Sequence, residues 1–300
     1  MILVTGASGA LGGLVLHRLA AGGAPVVGGT RAPGNSSARQ VDFDRPETLR
    51  SAFAGVDVLV LVSAGFAEDD VVLARHGAAV DAAASAGVRH VVYTSLAGSG
   101  ERLSIALAHR WTEARLGGAP FHVTVLRNGL YAELLAGIVL AGAEQAAATG
   151  VFAAPWGAGR LAVVAREDLA DVAARVAAQS DADLAGGARS RHAGRTYELE
   201  GVTAVSGADV AAILSAGVGR PVRYQPVSLA DVRAALSAGG AEPYQVAHTI
   251  SMFANLGAGL LDRRDSDLPA LLDIEPRPVR DLLAEAVAAL TAAPGSGARG

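Results

Sequence analysis

Short apolar runs alternate with amphipathic stretches through the first half of the chain. Ile2 to Thr5 is a β-leaning run, and Leu11, Leu14, Val15 and Leu19 follow it at helical spacing. Pro25 to Thr30 (PVVGGT) predicts a second strand, and Val41 to Asp44 a return to the sheet or its edge. The intervening APGNSSARQ is too short and polar for a full helix, so that crossover is abbreviated, and Pro46 starts a helix over ETLRSAFAG. Val56 to Ser63 (VDVLVLVS) is almost continuously apolar, the pattern of a central parallel strand covered on both faces. Helices are expected over Asp69 to Ala86, Ile105 to Leu116 and Ala132 to Ala148, and strands over Val88 to Thr94 and Phe121 to Leu126. Strand and helix in alternation, with that one crossover abbreviated, predict an α/β fold, a Rossmann-type doubly wound parallel sheet.

Beyond residue 150 the pattern changes. A strand LAVVA precedes an amphipathic helix over Arg166 to Gln179, and Ser180 to Gly194 reads as a mobile surface loop. Short strands (RTYELEG, PVRYQPVS) then alternate with helices (SGADVAAILSAG, SLADVRAALSAGG), a small α+β C-terminal lobe. The expected organisation is a dinucleotide-binding domain over 1–150, a smaller substrate-binding lobe over 151–290 with the chain crossing between the two, and a disordered tail over 291–300.

The chemistry gathers at strand ends. Gly6, Gly9 and Gly12 stand three residues apart between the first strand and the first helix, the context a dinucleotide site requires. Gly6 would allow the tight turn, Gly9 the approach of a pyrophosphate, and Gly12 the packing of helix on strand. With Ala7, Ser8, Ala10 and Leu11 they make a phosphate cradle at a helix N-terminus. Arg31 closes the second strand, where an arginine receives the 2′-phosphate of NADP and an acidic residue would take the ribose of NAD; an ordinary exposed loop arginine is the other reading. Asp42 and Phe43 would border the adenine, and Ser63, Ala64 and Gly65 point into the crevice at the carboxyl edge.

On the acceptor side the pocket candidates are Ser95, His109, Asn128 and Tyr131. Ser95 follows a strand and either polarises a substrate carbonyl or caps a turn. His109 and Glu113 share a helix face at i and i+4, lining the pocket or making a surface ion pair. Asn128 can bond a carboxamide or carbonyl, and Tyr131 offers a stacking face. His76 reads as a surface or packing residue. His109 and Glu113 lack a third ligand, so no metal site is expected.

Composition narrows the classes. The formal charge of −4 is evenly mixed, which gives no footprint for nucleic acid or an anionic membrane. Cysteine is absent, which excludes disulfides and thiolate chemistry. No uncharged apolar run spans a membrane and no secretory leader is visible, so a cytoplasmic location is expected. The chain also contains no lysine: all 25 basic residues are arginine.

The G-x-x-G-x-x-G spacing resembles the short-chain dehydrogenase/reductase superfamily. GASGALGG, DFD, VLVSA, VVYTSL, AHRWTEARL, LRNGLYAE, REDLADVAA, TYELEG and PVRYQPVSLAD, in that order, resemble the NmrA-like atypical short-chain reductases. Within them the chain is similar to the NAD(P)H:quinone oxidoreductase type 2 and triphenylmethane reductase group, from Met1 to about residue 290. The resemblance implies NADPH, preferred over NADH, held by Gly6 to Leu11, by Arg31, by Ser63 to Gly65, and by Asn128, Gly129, Leu130, Tyr131 and the residues up to Glu133. It implies hydride transfer to a quinone-like, flat conjugated small molecule, and a homodimer is the expected assembly. The superfamily's usual Tyr-x-x-x-Lys pair cannot exist without lysine, and where some relatives keep a lysine after the TE motif this chain has Ala114. The same resemblance is compatible with a dinucleotide-binding redox sensor that turns nothing over, or with a biosynthetic tailoring reductase.

Overall fold

The computed structural model describes residues 1–34, 37–64, 67–262 and 264–292. The first half runs β1 (Ile2–Val4), α1 (Ala10–Ala21), β2 (Val26–Thr30), β3 (Arg39–Gln40), α2 (Glu47–Phe53), β4 (Val58–Leu61), α3 (Asp69–Ala86), β5 (His90–Leu96), α4 (Ala106–Gly117), β6 (His122–Asn128) and α5 (Ala132–Thr149). The second half continues with β7 (Val151–Ala154), β8 (Arg160–Ala162), α6 (Arg166–Ala185), β9 (Thr196–Leu199), β10 (Ala204–Ser206), α7 (Gly207–Val218) and β11 (Arg223–Pro226). It closes with α8 (Leu229–Ala238), α9 (Pro243–Gly257), α10 (Leu268–Leu271) and α11 (Val279–Ala292).

Seven strands form one sheet in the order β3-β2-β1-β4-β5-β6-β9, every neighbouring pair parallel. Alternate side chains leave opposite faces. Leu3, Leu59, Leu61, Val91 and Tyr93 pack with residues of α2, α3 and α4, while Ile2, Val4, Val58, Val60, Val92 and Leu126 pack with α1 and α6. This is the doubly wound architecture the alternating pattern predicts. Covering both faces is why the central strands read as unbroken apolar runs, each large buried side chain contributing about 1.5–3 kcal/mol. Strand order reverses between β1 and β4, so the carboxyl ends of those two strands flank the crevice where such sheets take ligands.

The chain crosses the sequence midpoint in both directions. The helix α6 covers β1 and β4, with Arg18 of α1 bonded to Asp171 at 2.6 Å, and β9 pairs with β6. Conversely, Leu135, Val139, Ala143 and Ala146 of α5 belong to a separate core with Phe152, Trp156, Leu214, Leu256 and Leu283. That second core holds the lobe, with its two-stranded pairs β8–β10 and β7–β11.

Several expected boundaries shift. Val41 to Asp44 is not strand: β3 ends at Gln40, the Val41 N–H makes one further bond to Thr30 O at 2.9 Å, and the Asp44 N–H donates to the Asp42 carboxylate at 3.1 Å in a local Asx turn. Ser95 lies inside β5 instead of beyond it. Ser180 to Gly194 is not a mobile loop. Its first six residues extend α6 because Ser180 and Leu184 are buried. The rest is pinned by Ser180–Ser190 at 2.8 Å, His192–Tyr197 at 2.8 Å and the Gly194 N–H on Val123 O at 2.7 Å. The helix α11 includes Thr291 and Ala292, which were expected in the tail; residues 293–300 lie outside the described residues. No helix among the described residues is long and apolar enough to cross a membrane.

Candidate functional site

The glycine turn sits at the carboxyl end of β1. Gly6 has φ +61°, a left-handed conformation that favours glycine. A Cβ on Gly12 would lie 2.3 Å from Gly6 O, so the helix can approach the turn this closely only with glycine there. Gly9 is the N-cap of α1, and no side chain caps the helix. The first-turn N–H groups therefore have neither intrahelical nor side-chain acceptors, and with the helix dipole they form an anion cradle. Ser8, Gly9 and Ala10 are exposed, Leu11 is buried in the core, and the Ala7 N–H anchors the turn on Gly29 O at 3.0 Å. This geometry fits a dinucleotide pyrophosphate.

Arg31 is exposed beyond β2, where its carbonyl accepts from Gln40 Nε2 at 3.3 Å. Asp42 spends its carboxylate on its own turn, and Phe43 packs half-buried against the core below. Asp44 is the acidic neighbour of this corner. Bonding to Arg75 at 2.7 and 3.0 Å holds its carboxyl below the usual range, with Arg31 adding to the effect.

The end of β4 has an arrangement that sequence reasoning missed. Beyond Leu61, three successive backbone N–H groups each donate to a side chain from a different element. Val62 donates to Thr5 Oγ1 at 2.9 Å, Ser63 to Thr94 Oγ1 at 3.0 Å, and Ala64 to His76 Nε2 at 3.0 Å. Side chains thus take over where the ladder stops, and the segment facing the crevice is held rigid. Gly65, the third residue expected here, lies outside the described residues.

The helix α4 turns its polar residues inward. His109 Nδ1 lies 2.9 Å from the hydroxyl of fully buried Tyr93, and Thr112 Oγ1 lies 2.8 Å from His76 Nδ1. Glu113 accepts from the buried Ser95 hydroxyl, from Arg110 at 2.6 Å and from Arg127 at 2.6 and 3.1 Å. Arg127 also reaches Glu198 at 2.9 Å, whose other oxygen takes the Gly98 N–H at 2.7 Å. Burial raises the Glu113 pKa, but Arg127, Ser95 and Arg110 outweigh it and leave the carboxyl below its ordinary range. Burial pushes His109 down to about 4, with Arg110 adding to it and Glu113 opposing, and raises the Tyr93 phenol above its usual range. Neither group exchanges a proton readily near neutrality.

The last residue of β6, Asn128, is buried, and its Oδ1 has no hydrogen-bond partner among the described residues. An orphaned acceptor at the carboxyl edge fits a ligand that brings an N–H, such as a carboxamide. Burial pushes the Tyr131 phenol up, opposed by the neighbouring Asn128 amide, and Arg166 lies 5.2 Å over its ring. Gly129 and Leu130 are knit to the second half through the Gly129 N–H on Leu199 O at 2.9 Å and the Val164 N–H on Leu130 O at 2.8 Å.

The structure thus brings Gly6 to Gly12, Arg31, Ser63, Ala64 and Asn128 to the carboxyl edge of one sheet. It commits the Ser95 hydroxyl to Glu113 and His109 to Tyr93. The residues missed by sequence reasoning (Thr5, His76, Thr94, Thr112, Arg127) had one visible signal, a polar residue inside an apolar strand or on the buried face of a helix. Among the described residues no cluster of His, Asp and Glu is placed to hold a metal ion.

Known proteins match the chain across most of their length. The chain is 35% identical over 239 residues to quinone oxidoreductase 2 of Escherichia coli, covering 76% of this chain and 78% of the relative. It is 29% identical over 240 residues to the NAD(P)H azoreductase of Xenophilus azovorans, with the same coverage. Among solved structures, the Citrobacter sp. triphenylmethane reductase complexed with NADP(H) superposes with a TM-score of 0.83 at 27% identity, covering 95% of this chain and 99% of that one. The E. coli NADPH-dependent quinone oxidoreductase complexed with NADPH gives 0.82 at 30% identity and the same coverage. The model of the NmrA-like family matches residues 1–277. With its glycine turn, crevice and lobe in place, the chain belongs to the NmrA-like family.

Proposed function

We propose that this chain is an NADPH-dependent oxidoreductase that passes hydride to a quinone or a similar flat conjugated acceptor, without a Tyr-Lys pair. The observation that carries the reading is the uncapped N-terminus of α1 behind Gly6, Gly9 and Gly12, on one crevice with the orphaned Asn128 oxygen. The relatives' names point to the same acceptor class. The first turn of α1 holds the pyrophosphate and Arg31 the 2′-phosphate, which favours NADPH over NADH. Ser63 and Ala64 border the nicotinamide, and Asn128 Oδ1 accepts from its carboxamide. Bound NADPH supplies the hydride.

The acceptor chosen explains the missing acid. A quinone takes up hydride with little proton assistance, so orientation and proximity provide much of the acceleration. Tyr131 and the lobe packed on α5 shape and exclude water from the acceptor pocket, while Ser95 and His109 hold its wall. We further propose a homodimer acting in the cytoplasm.

A sensor reading is favoured by one observation: the polar groups His109, Thr112 and Glu113 of α4 are all committed internally. The two readings part in one assay. Absorbance at 340 nm is followed with NADPH, and separately NADH, after addition of a benzoquinone or naphthoquinone. Enzyme-dependent loss that is faster with NADPH supports the reductase. Tight dinucleotide binding without turnover across a quinone and dye panel overturns it in favour of the sensor.

A further inference from the structure

His76 is fully buried in α3, yet both ring nitrogens are engaged. Because the Ala64 N–H donates to Nε2, that nitrogen carries no proton, and the ring is the Nδ1–H tautomer. Nδ1–H then donates to Thr112 Oγ1, which donates onward to Ala108 O at 2.7 Å. The direction of every bond in this chain is set by the backbone groups at its two ends. Burial disfavours the charged ring and keeps it neutral, as this chain requires.

We propose that His76 is a positioning residue for the dinucleotide: its ring fixes the backbone at Ala64 on the carboxyl edge of β4 and ties that edge to α4. Ala64 is the last of the three successive anchored N–H groups beyond β4. Thr5 reaches Val62 from just past the end of β1 and Thr94 reaches Ser63 from β5, and of the three only His76 reaches from a helix. Without it the Ala64 N–H would be left without its acceptor, and the backbone would turn to find another. The inference rests on the dinucleotide reading given above. It goes beyond that reading by assigning a role to a residue that need not touch the ligand.

The test compares four variants by NADPH fluorescence titration, thermal unfolding and amide exchange at Ala64. His76→Leu removes both bonds and raises the NADPH dissociation constant about tenfold, the worth of one well-placed hydrogen bond. His76→Gln, with one acceptor and one donor at similar reach, stays within about threefold of the parent. Thr112→Val breaks only the far bond and gives an intermediate loss; it stands in if the leucine variant does not fold. Val80→Ala, a buried site on the same helix with no polar role, sets the effect of lost packing alone. Affinity loss in His76→Leu or Thr112→Val beyond that of Val80→Ala, with faster Ala64 exchange and rescue by glutamine, bears the inference out. Equal affinities in the histidine and valine variants overturn it. An unmodified protein that binds no dinucleotide overturns the proposed function instead, and this role with it.

Discussion

The Ser95 hydroxyl donates to the Glu113 carboxylate, and two arginines clamp the same carboxylate from either side. Hydroxyl and helix thus serve each other. With its proton committed, Ser95 is a strut between β5 and α4, and Arg127 carries the link on to Glu198 ahead of the lobe. Ser95→Ala is expected to cost about 1 kcal/mol of stability, and to change quinone turnover by less than about threefold. A serine polarising the acceptor carbonyl would lose on the order of a hundredfold in turnover on the same substitution. Urea unfolding and steady-state kinetics on one preparation separate the two roles.

Glu113→Gln removes the charge facing Arg110 and Arg127. The site is partly exposed, so the expected loss is about 2 kcal/mol, less than for a fully buried pair. A variant as stable as the parent would mean that solvent screens the cluster.

Gly12 and Gly9 should separate folding from binding. Gly12→Ala drives a Cβ into Gly6 O and forces β1 and α1 apart, with an expected cost of about 3 kcal/mol. Gly9→Ala brings its Cβ to 3.2 Å from the same oxygen, a small strain, but it narrows the approach to the helix N-terminus. Stability should then fall by no more than about 1 kcal/mol while the NADPH dissociation constant rises about tenfold. Calorimetry with and without NADPH checks both.

Arg31→Ala should weaken NADP⁺ by about ten- to a hundredfold and leave NAD⁺ within about twofold, since a charged hydrogen bond to phosphate is lost and no bond to the NAD ribose. Equal losses for both dinucleotides would place the 2′-phosphate elsewhere.

His76, His90 and His109 are each pushed down to about 4, mainly by burial. Their neutral forms are favoured by folding, so this stabilisation is complete above the unfolded value near 6.5 and is lost as pH falls towards 4. Unfolding between those limits should take up about three protons from solvent onto these residues. Burial also raises the Glu200 carboxyl, which favours its protonated form and partly offsets the loss at the acid end. Denaturation midpoints measured from pH 7 to pH 4 give the slope. A flat profile would mean that the three histidines titrate normally.

The order of strands and helices along the first 150 residues, the glycine turn and the absence of lysine were all legible in the chain itself. Apolar periodicity and glycine spacing are local properties, and the helices and central strands there are long enough to express their own period, whereas the two-residue β3 is not. The adenine corner was legible only in part, because the Asp42–Asp44 turn is made by a side chain that competes with the sheet for backbone bonds. Residues 180–185 look like loop from composition and become helix because Ser180 and Leu184 are buried beneath them. Which polar residues meet was beyond local reading. Thr5, Thr94 and His76 lie far apart in sequence and converge on three successive N–H groups only because the parallel sheet brings β1, β5 and α3 around the end of β4. The sequence by itself determined the fold and the glycine turn ahead of the first helix. Only the tertiary structure decided that Ser95, His109 and Glu113 face inward, because hydrogen-bond partners are chosen by packing across the sheet and not by spacing along the chain.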